Sequence, residues 1–403
     1  MRVFPINPPI WLFLLKNPSK SMNIAYLHTG YFPSSSPSFT FSTFNAMALA
    51  KVFETCHFFI KRNSSLSPEK VISLFFDLSM PPSLVIHPMR DFSFLRTNQW
   101  YVKRVEKRLQ KFIRERKVDG VIARHPVFLQ SLSKLRKQFG IPVFYETHDF
   151  YADLSLRNDV RAQKKAKFEK WEKTWIPHLS GVICLQEAQK EFYQAVFPDQ
   201  RIEVARTGLW QLYRLPHREF RFVTYIGSLD FHKGIDFLLE AIAHSQTRPP
   251  LLIIGGKNKT EIEQMERKIQ NRKSDFPVQI TGWVDKRTLS AYLAQTVVGV
   301  VPLQDTFFNR YLTSPLKIFD YYSHGIPVIA PDFPTMRELI QENKTGVFFE
   351  PGNPIALAEK IDYFFSNLTH WNQWSEAVYQ HAENFTWEKR AQRILEIVTR
   401  EKG

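Results

Sequence analysis

The stretch Thr313-Ser314-Pro315-Leu316-Lys317-Ile318-Phe319-Asp320-Tyr321-Tyr322-Ser323-His324-Gly325-Ile326-Pro327-Val328-Ile329-Ala330 reads as the start, body and end of a helix followed by a strand. Ser314 stands where an N-cap hydroxyl accepts from the first free amides, and Pro315 where a missing N–H costs nothing. Gly325 supplies the stop, and Val328 to Ala330 is an apolar run suited to a buried strand. A helix that turns at once into a buried strand is half of a βαβ unit, so the expected sheet is parallel.

Outward from this point the second half repeats the grammar. Apolar runs at Phe222 to Ile226, Leu251 to Ile254, Val278 to Thr281, Val297 to Val301 and Val347 to Phe349 alternate with amphipathic stretches opening near Lys233, Thr260, Lys286, Thr335 and Pro354. The first half does the same, with strands expected at Ile24 to Leu27, Val118 to Ala123, Val143 to Glu146, Val182 to Leu185 and Ile202 to Ala205. Helices fill the gaps at Phe39 to Val52, Trp100 to Arg116, Val127 to Gln138, Ala162 to Pro177 and Glu187 to Val196. This alternation specifies an α/β fold of two doubly wound parallel sheets. The periodicity fails around Gly208 to Glu219, where Pro216 appears, which places a linker at 208–220. The expected division is a leader at 1–21, a Rossmann-like domain at 22–207, a second at 221–385, and an amphipathic helix within 386–403.

Composition narrows the class. At 403 residues the chain exceeds one ordinary core, so two domains are the starting expectation. Hydrophobic residues at 44% and charged residues at 23% exclude a disordered chain or a small disulfide-framed one. Cys56 and Cys184 cannot build a cysteine-rich zinc site; amid apolar neighbours they read as buried thiols of a reducing compartment, which favours the cytoplasm. No apolar run reaches the ~20 residues that cross a bilayer. The leader holds a short greasy stretch, Ile10 to Leu15, behind Pro8 and Pro9, and reads either as a peripheral anchor or as an over-long start before Met22. Lys and Arg total 54 against 39 Asp and Glu; the net charge of +15 attracts polyanions, nucleotide phosphates or an acidic membrane face. Much of this charge lies in Lys103 to Lys117 and Arg157 to Lys173, which read as helix faces.

In open α/β sheets ligands sit beyond the carboxyl ends of the strands, so the loops there carry the chemistry. Tyr225 to Gly234 leaves a strand and opens an apolar helix, whose first amides and the charge of Lys233 suit a phosphate. Gly255-Gly256-Lys257 ends the next strand and lets a ligand approach the backbone closely. The third such segment is Ser314 to Ala330 itself.

In order and spacing, Gly227 to Ala243, Gly255-Gly256, the Thr281-Gly282 turn, Ser314 to Ala330 and Thr345-Gly346 to Pro351-Gly352 resemble the C-terminal domain of the retaining GT-B glycosyltransferases of the group 1 or family 4-like kind. The resemblance is close from Tyr225 to Lys360 and looser in the first half. It implies a GT-B fold, in which an acceptor-side domain faces a nucleotide-sugar-binding domain across a cleft and the helix of 386–403 crosses back to the first domain. It implies that Lys233 faces the donor diphosphate. Asp320, where the family usually has a glutamate, is implied to bond the donor ribose, and Ser314, Pro315 and Leu316 to present amides to the distal phosphate and sugar. Gly30, Gly227, Ser228, Gly255, Gly256, Lys257, Gly282 and Trp283 complete the implied donor-binding set. Three departures stand out. Ser228 occupies the place of a frequent arginine, leaving Lys257, Arg310 and Lys317 as candidates for a second cation. Leu312 and Thr313 supply no carboxylate where the family has a further glutamate. Gly30 is followed by Tyr31-Phe32-Pro33-Ser34-Ser35-Ser36 in place of a glycine pair.

Tyr145-Glu146-Thr147-His148-Asp149 closes a first-half strand, and the resemblance places a histidine there close to the transferred sugar. The alternative is a structural histidine beside a helix-capping Asp149. Lys233, His148 and Lys317 form the expected catalytic set, and Arg124, His125 and Glu146 lie at comparable strand ends within reach of an acceptor. Trp171, Trp175 and Trp210 sit in apolar patterns and read as packing residues.

The implied function is transfer of a sugar, with retention, from a nucleotide-diphosphate donor to a glycan or lipid-linked acceptor in surface polysaccharide or lipopolysaccharide assembly. No metal or other cofactor is expected, since the donor loops hold no chelating carboxylate cluster. The expected place is the cytoplasm, with peripheral contact at the anionic inner face of the plasma membrane, and no nucleic-acid partner. A nucleotide-sugar epimerase on the same fold, or a non-catalytic basic protein binding nucleic acid or membrane, are the competing readings.

Overall fold

A computed structural model describes residues 22–34, 36–90, 98–214, 218–229, 233–256, 258–271 and 275–400, apart from the side chain of residue 164. The leader at 1–21 and Lys257 lie outside the described residues.

The first sheet contains seven strands: β1 (Asn23–Phe32), β2 (Thr55–Arg62), β3 (Leu84–Met89), β4 (Gly120–Ala123), β5 (Val143–Glu146), β6 (Gly181–Cys184) and β7 (Ile202–Val204). The second contains six: β8 (Phe222–Ile226), β9 (Leu251–Ile254), β10 (Val278–Ile280), β11 (Thr296–Val300), β12 (Val328–Pro331) and β13 (Gly346–Phe349). Every pairing is parallel, in the orders β3-β2-β1-β4-β5-β6-β7 and β10-β9-β8-β11-β12-β13. The order reverses between β1 and β4 in one sheet and between β8 and β11 in the other. Such a switch point leaves a crevice at the carboxyl ends, because the helices on its two sides lie on opposite faces. The two halves thus form an α/β fold of the GT-B kind.

Strands β4, β5, β6, β9, β11, β12 and β13 are buried along their whole length, as sheets covered by helices on both faces require. The helix Pro37–Val52 and the helix Trp387–Thr399 share one face of the first sheet; Phe41, Phe44, Trp387, Ala391 and Ile394 belong to a single apolar cluster there. The segment that leaves the first half and the one that returns to it run side by side: Leu209 N donates to Phe385 O (2.8 Å) and Trp387 N to Leu209 O (3.0 Å).

Several local expectations need correction. The helix after Ser314 is Leu316–Ser323, with Pro315 in the cap position and no side-chain cap. Ser314 instead donates its hydroxyl to Thr207 Oγ1 (2.9 Å), a contact between the halves. Pro315 has no N–H to leave unsatisfied, so the cap costs little there. The helix expected near Lys233 is Ile235–His244, because Gly234 adopts φ +78° at its cap. A Cβ at Gly234 would lie 1.7 Å from Pro302 O, so only glycine fits. Strand β1 runs on to Phe32 and includes Gly30, and β2 and β3 are additional to the strands expected.

Candidate active site at the two switch points

In the second half, β8 delivers Gly227 and Ser228, β9 delivers Gly255 and Gly256, and β10 leads to Gly282 and Trp283. These loops interlock. Gly227 N donates to Ile254 O (2.9 Å), Gly255 bridges Gly282, and a Cβ on Gly255, at φ +143°, would come within 1.9 Å of Gly227 O. Tyr225 Oη donates to Ser228 O (2.9 Å). The helix Leu316–Ser323 is pinned to β8 by Tyr321, whose hydroxyl donates to Thr224 O (2.8 Å) and accepts from Ile226 N (3.1 Å).

This pin turns Lys317 inward. Its Nζ lies 3.9 Å from the Tyr225 ring centre and 3.4 Å from where a Cβ on Gly227 would stand. The nitrogen is shut off from solvent and has no hydrogen-bond partner among the described residues. Burial, helped by the charge of Lys233, pulls its pKa down to about 7. One turn further, burial pushes the Asp320 carboxyl up to about 6 against the opposing charges of Lys286 and Lys317. Lys286 reaches the first half, 4.7 Å from the Phe44 ring centre. Lys233 is exposed ahead of its helix, and Trp283 is 64% exposed. Arg310 is engaged elsewhere, paired with Asp305 (2.9 and 2.5 Å) and lying over Phe333.

In the first half, β1, β4 and β5 bring together His28, Arg124, Glu146 and His148. Arg124 Nη2 donates to His148 Nδ1 (2.7 Å) and Nη1 to Ser38 O (3.2 Å), with the guanidinium 3.9 Å from the Phe41 ring centre. An arginine can only donate, so His148 carries its proton on Nε2, which faces Glu146 Oε2 at 3.5 Å. Burial and then the Arg124 charge take His148 down to about 3. Gly30 lies against His28: a Cβ there would meet His28 Nε2 at 2.5 Å. His125 uses Nδ1 to accept from Val127 N (3.1 Å), and Asp149 accepts from Phe150 N (2.9 Å) and Arg157 Nη1 (2.5 Å). Trp210 stacks on Phe44, and Trp171 and Trp175 pack on the first-half core.

Two participants carried different signals in the sequence. His28 directly follows the apolar run Ile24 to Leu27, where the strand-end rule that singles out His148 applies, although β1 itself continues to Phe32. Arg390, on the helix Trp387–Thr399, pairs with the fully buried Glu146, and nothing local to residue 390 announces it. Among the described residues no group of three His, Cys, Asp or Glu side chains could hold a metal. The described helices include none long and apolar enough to cross a membrane. Cys56 and Cys184 are free and buried.

A family model for glycosyl transferases group 1 matches residues 221–367, and a model for glycosyltransferase family 4 matches residues 45–209. The chain belongs to the GT-B glycosyltransferases. This GT-B glycosyltransferase is 25% identical over 183 residues to the D-inositol 3-phosphate glycosyltransferase of Rhodococcus erythropolis, covering 43% of this chain and 40% of that one. It spans about two fifths of the length of the curated relatives it matches. Its fold is shared by Anabaena HepE in complex with UDP (TM-score 0.69, 16% identity) and by the lipopolysaccharide outer core galactosyltransferase WaaB (TM-score 0.65, 16% identity). Each covers 94% of this chain and 100% of the other.

Proposed function

We propose that this GT-B glycosyltransferase moves a sugar from a nucleoside-diphosphate donor to an acceptor hydroxyl with retention, in polysaccharide or lipid-linked glycan assembly. The observation that carries the donor site is the buried Lys317 Nζ, which lies beside the glycine loop of β8 and has no hydrogen-bond partner among the described residues. A buried cation without a partner is costly, and an anion on the Gly227 side supplies what it lacks. Lys317 takes the part of the arginine for which this chain has Ser228, and Lys233 adds a second charge from the loop. The N-terminus of the helix Leu316–Ser323, with the segment from Ser314, favours the negative charge that grows on the leaving diphosphate. Asp320 accepts from the ribose hydroxyls, and Trp283 lies against the nucleotide. The HepE complex with UDP supports this class of donor.

His148 faces the transferred sugar from the first half. Glu146, the carboxylate nearest to it, accepts from Tyr26 Oη (2.6 Å) and pairs with Arg390, so it is not free to attack the anomeric carbon. Retention then follows from attack by the acceptor on the face that the diphosphate leaves, not from a two-carboxylate double displacement. The protein's own cations do the work of a metal, and no cofactor takes part. The WaaB likeness supports a surface glycan as product. We place the reaction in the cytoplasm at an anionic membrane face, with the exposed basic side of the helix Gln99–Arg114 as the point of contact.

Thermal unfolding with UDP, GDP, ADP and CDP tests the donor site. One diphosphate, at a hundred times its Kd, should stabilise the native state by about 2.7 kcal/mol. Lys317→Met, which keeps the side chain's bulk, should abolish that shift. No response to any of the four in the intact protein overturns the reading.

A further inference from the structure

Glu146 sits at the end of β5 with both oxygens committed. Oε2 accepts from Tyr26 Oη and faces His148 Nε2; Oε1 pairs with Arg390 Nη2. Arg390 is fully buried and spends its other nitrogens on Asn45 Oδ1 (2.8 Å) and Ala205 O. Its guanidinium lies 5.0 Å from the Phe41 ring centre, on whose face Arg124 lies at 3.9 Å. Phe41 also meets the His148 ring edge-on at 4.6 Å. The charged and titratable groups around His148 are therefore Arg124, Glu146, Arg390, His28 and Tyr26. Two guanidinium groups stand against one carboxylate.

We infer that Arg390, carried by the helix Trp387–Thr399, is a positioning residue that keeps His148 neutral and fixes its ring by holding Glu146. The inference rests on the reading above that His148 faces the transferred sugar. A carboxylate 3.5 Å from an imidazole would by itself draw a proton onto the ring and make an ion pair. Arg390 satisfies that carboxylate first. With Arg124 donating to Nδ1, the neutral ring has one arrangement left, the proton on Nε2 toward Glu146. A neutral ring suits the chemistry: the anomeric carbon becomes positive as its bond to the diphosphate breaks, and an imidazolium beside it would oppose that change. Arg390 touches no substrate and acts through Glu146.

Histidine side-chain NMR on the full protein tests this without a substrate, with the His148 signal identified by its loss in His148→Gln. In the wild type His148 should stay neutral to pH 5 with its proton on Nε2. In Arg390→Met its pKa should rise above the wild-type value, and Arg390→Lys should restore the wild-type titration. An unchanged His148 titration in folded Arg390→Met overturns the inference. Should Arg390→Met not fold, the double variant Glu146→Gln/Arg390→Met removes both buried charges together. His148 should then stay neutral, and a raised pKa there overturns the inference. Binding of UDP, GDP, ADP and CDP measured on the same samples separates a failure of the donor site from a failure of this one.

Discussion

Lys317 holds a charge-bearing nitrogen out of water with no hydrogen-bond partner among the described residues, and its titration follows from that position. Its pKa falls from 10.5 to about 7 in the folded chain. The cost of the buried charge is therefore present in full below about pH 7 and is relieved as pH climbs toward 10.5. Donor binding at the proposed site should have the opposite dependence, because a diphosphate there needs the protonated amine. Calorimetry with whichever of the four diphosphates stabilises the protein should show binding with proton uptake above pH 7 and weakening by up to ~10-fold per pH unit. In Lys317→Met any residual binding should be independent of pH between 7 and 8.5, and a wild-type affinity flat over that range would count against a buried neutral amine. At this scale the nearness of Lys317 and Asp320 was legible in the sequence. Lys317 and Asp320 lie three apart on a helix whose signals are local, so spacing alone puts them on one face. Arg390 was not legible, since its partner Glu146 is 244 residues away and only the fold brings them together.

The helix Gln99–Arg114 shows what single elements add. Tyr101, Val102, Val105, Leu109 and Phe112 face the core, while Lys103, Arg104, Lys107, Arg108, Lys111 and Arg114 are exposed. Trp100, 56% exposed, stands at the start of the same helix. A basic face ending in an exposed tryptophan suits the boundary of an anionic bilayer. Each basic residue near such a surface contributes about 1 kcal/mol, so Lys103→Glu/Lys107→Glu/Lys111→Glu should weaken binding to phosphatidylglycerol vesicles at least ~100-fold. Sedimentation with phosphatidylcholine vesicles is the control. Equal binding of wild type and triple variant to the anionic vesicles would remove this helix from the membrane contact. The periodicity that marks such helices also marked most strands to within a residue or two. It failed for β2 and β3: Thr55–Arg62 carries His57 and Lys61 within its run, and Leu84–Met89 is a half-exposed edge strand containing Pro88. Polar residues and an edge proline erase the apolar signature by which buried strands are recognised.

Across the whole molecule the two halves are joined by two crossings that bond to each other at Leu209 and Trp387. The returning crossing ends in a helix that belongs to the first half's core. Trp387 is 2% exposed, with ring centres 5.0 Å from Phe41 and 5.8 Å from Phe44. Trp387→Ala should destabilise the protein by about 3–5 kcal/mol, read by urea unfolding. A loss under 1 kcal/mol would mean that the helix rests on the first half without completing it.

The same helix sets an order on biosynthesis. Phe41 and Phe44 leave the ribosome well before the tryptophan that covers them, which is made about 340 residues later. Even after β7 is complete, synthesis at ~5–20 residues per second leaves that apolar face open for roughly 10–40 s. The first half of this transferase is thus a nascent domain whose aromatic face stays uncovered until the second half has been translated.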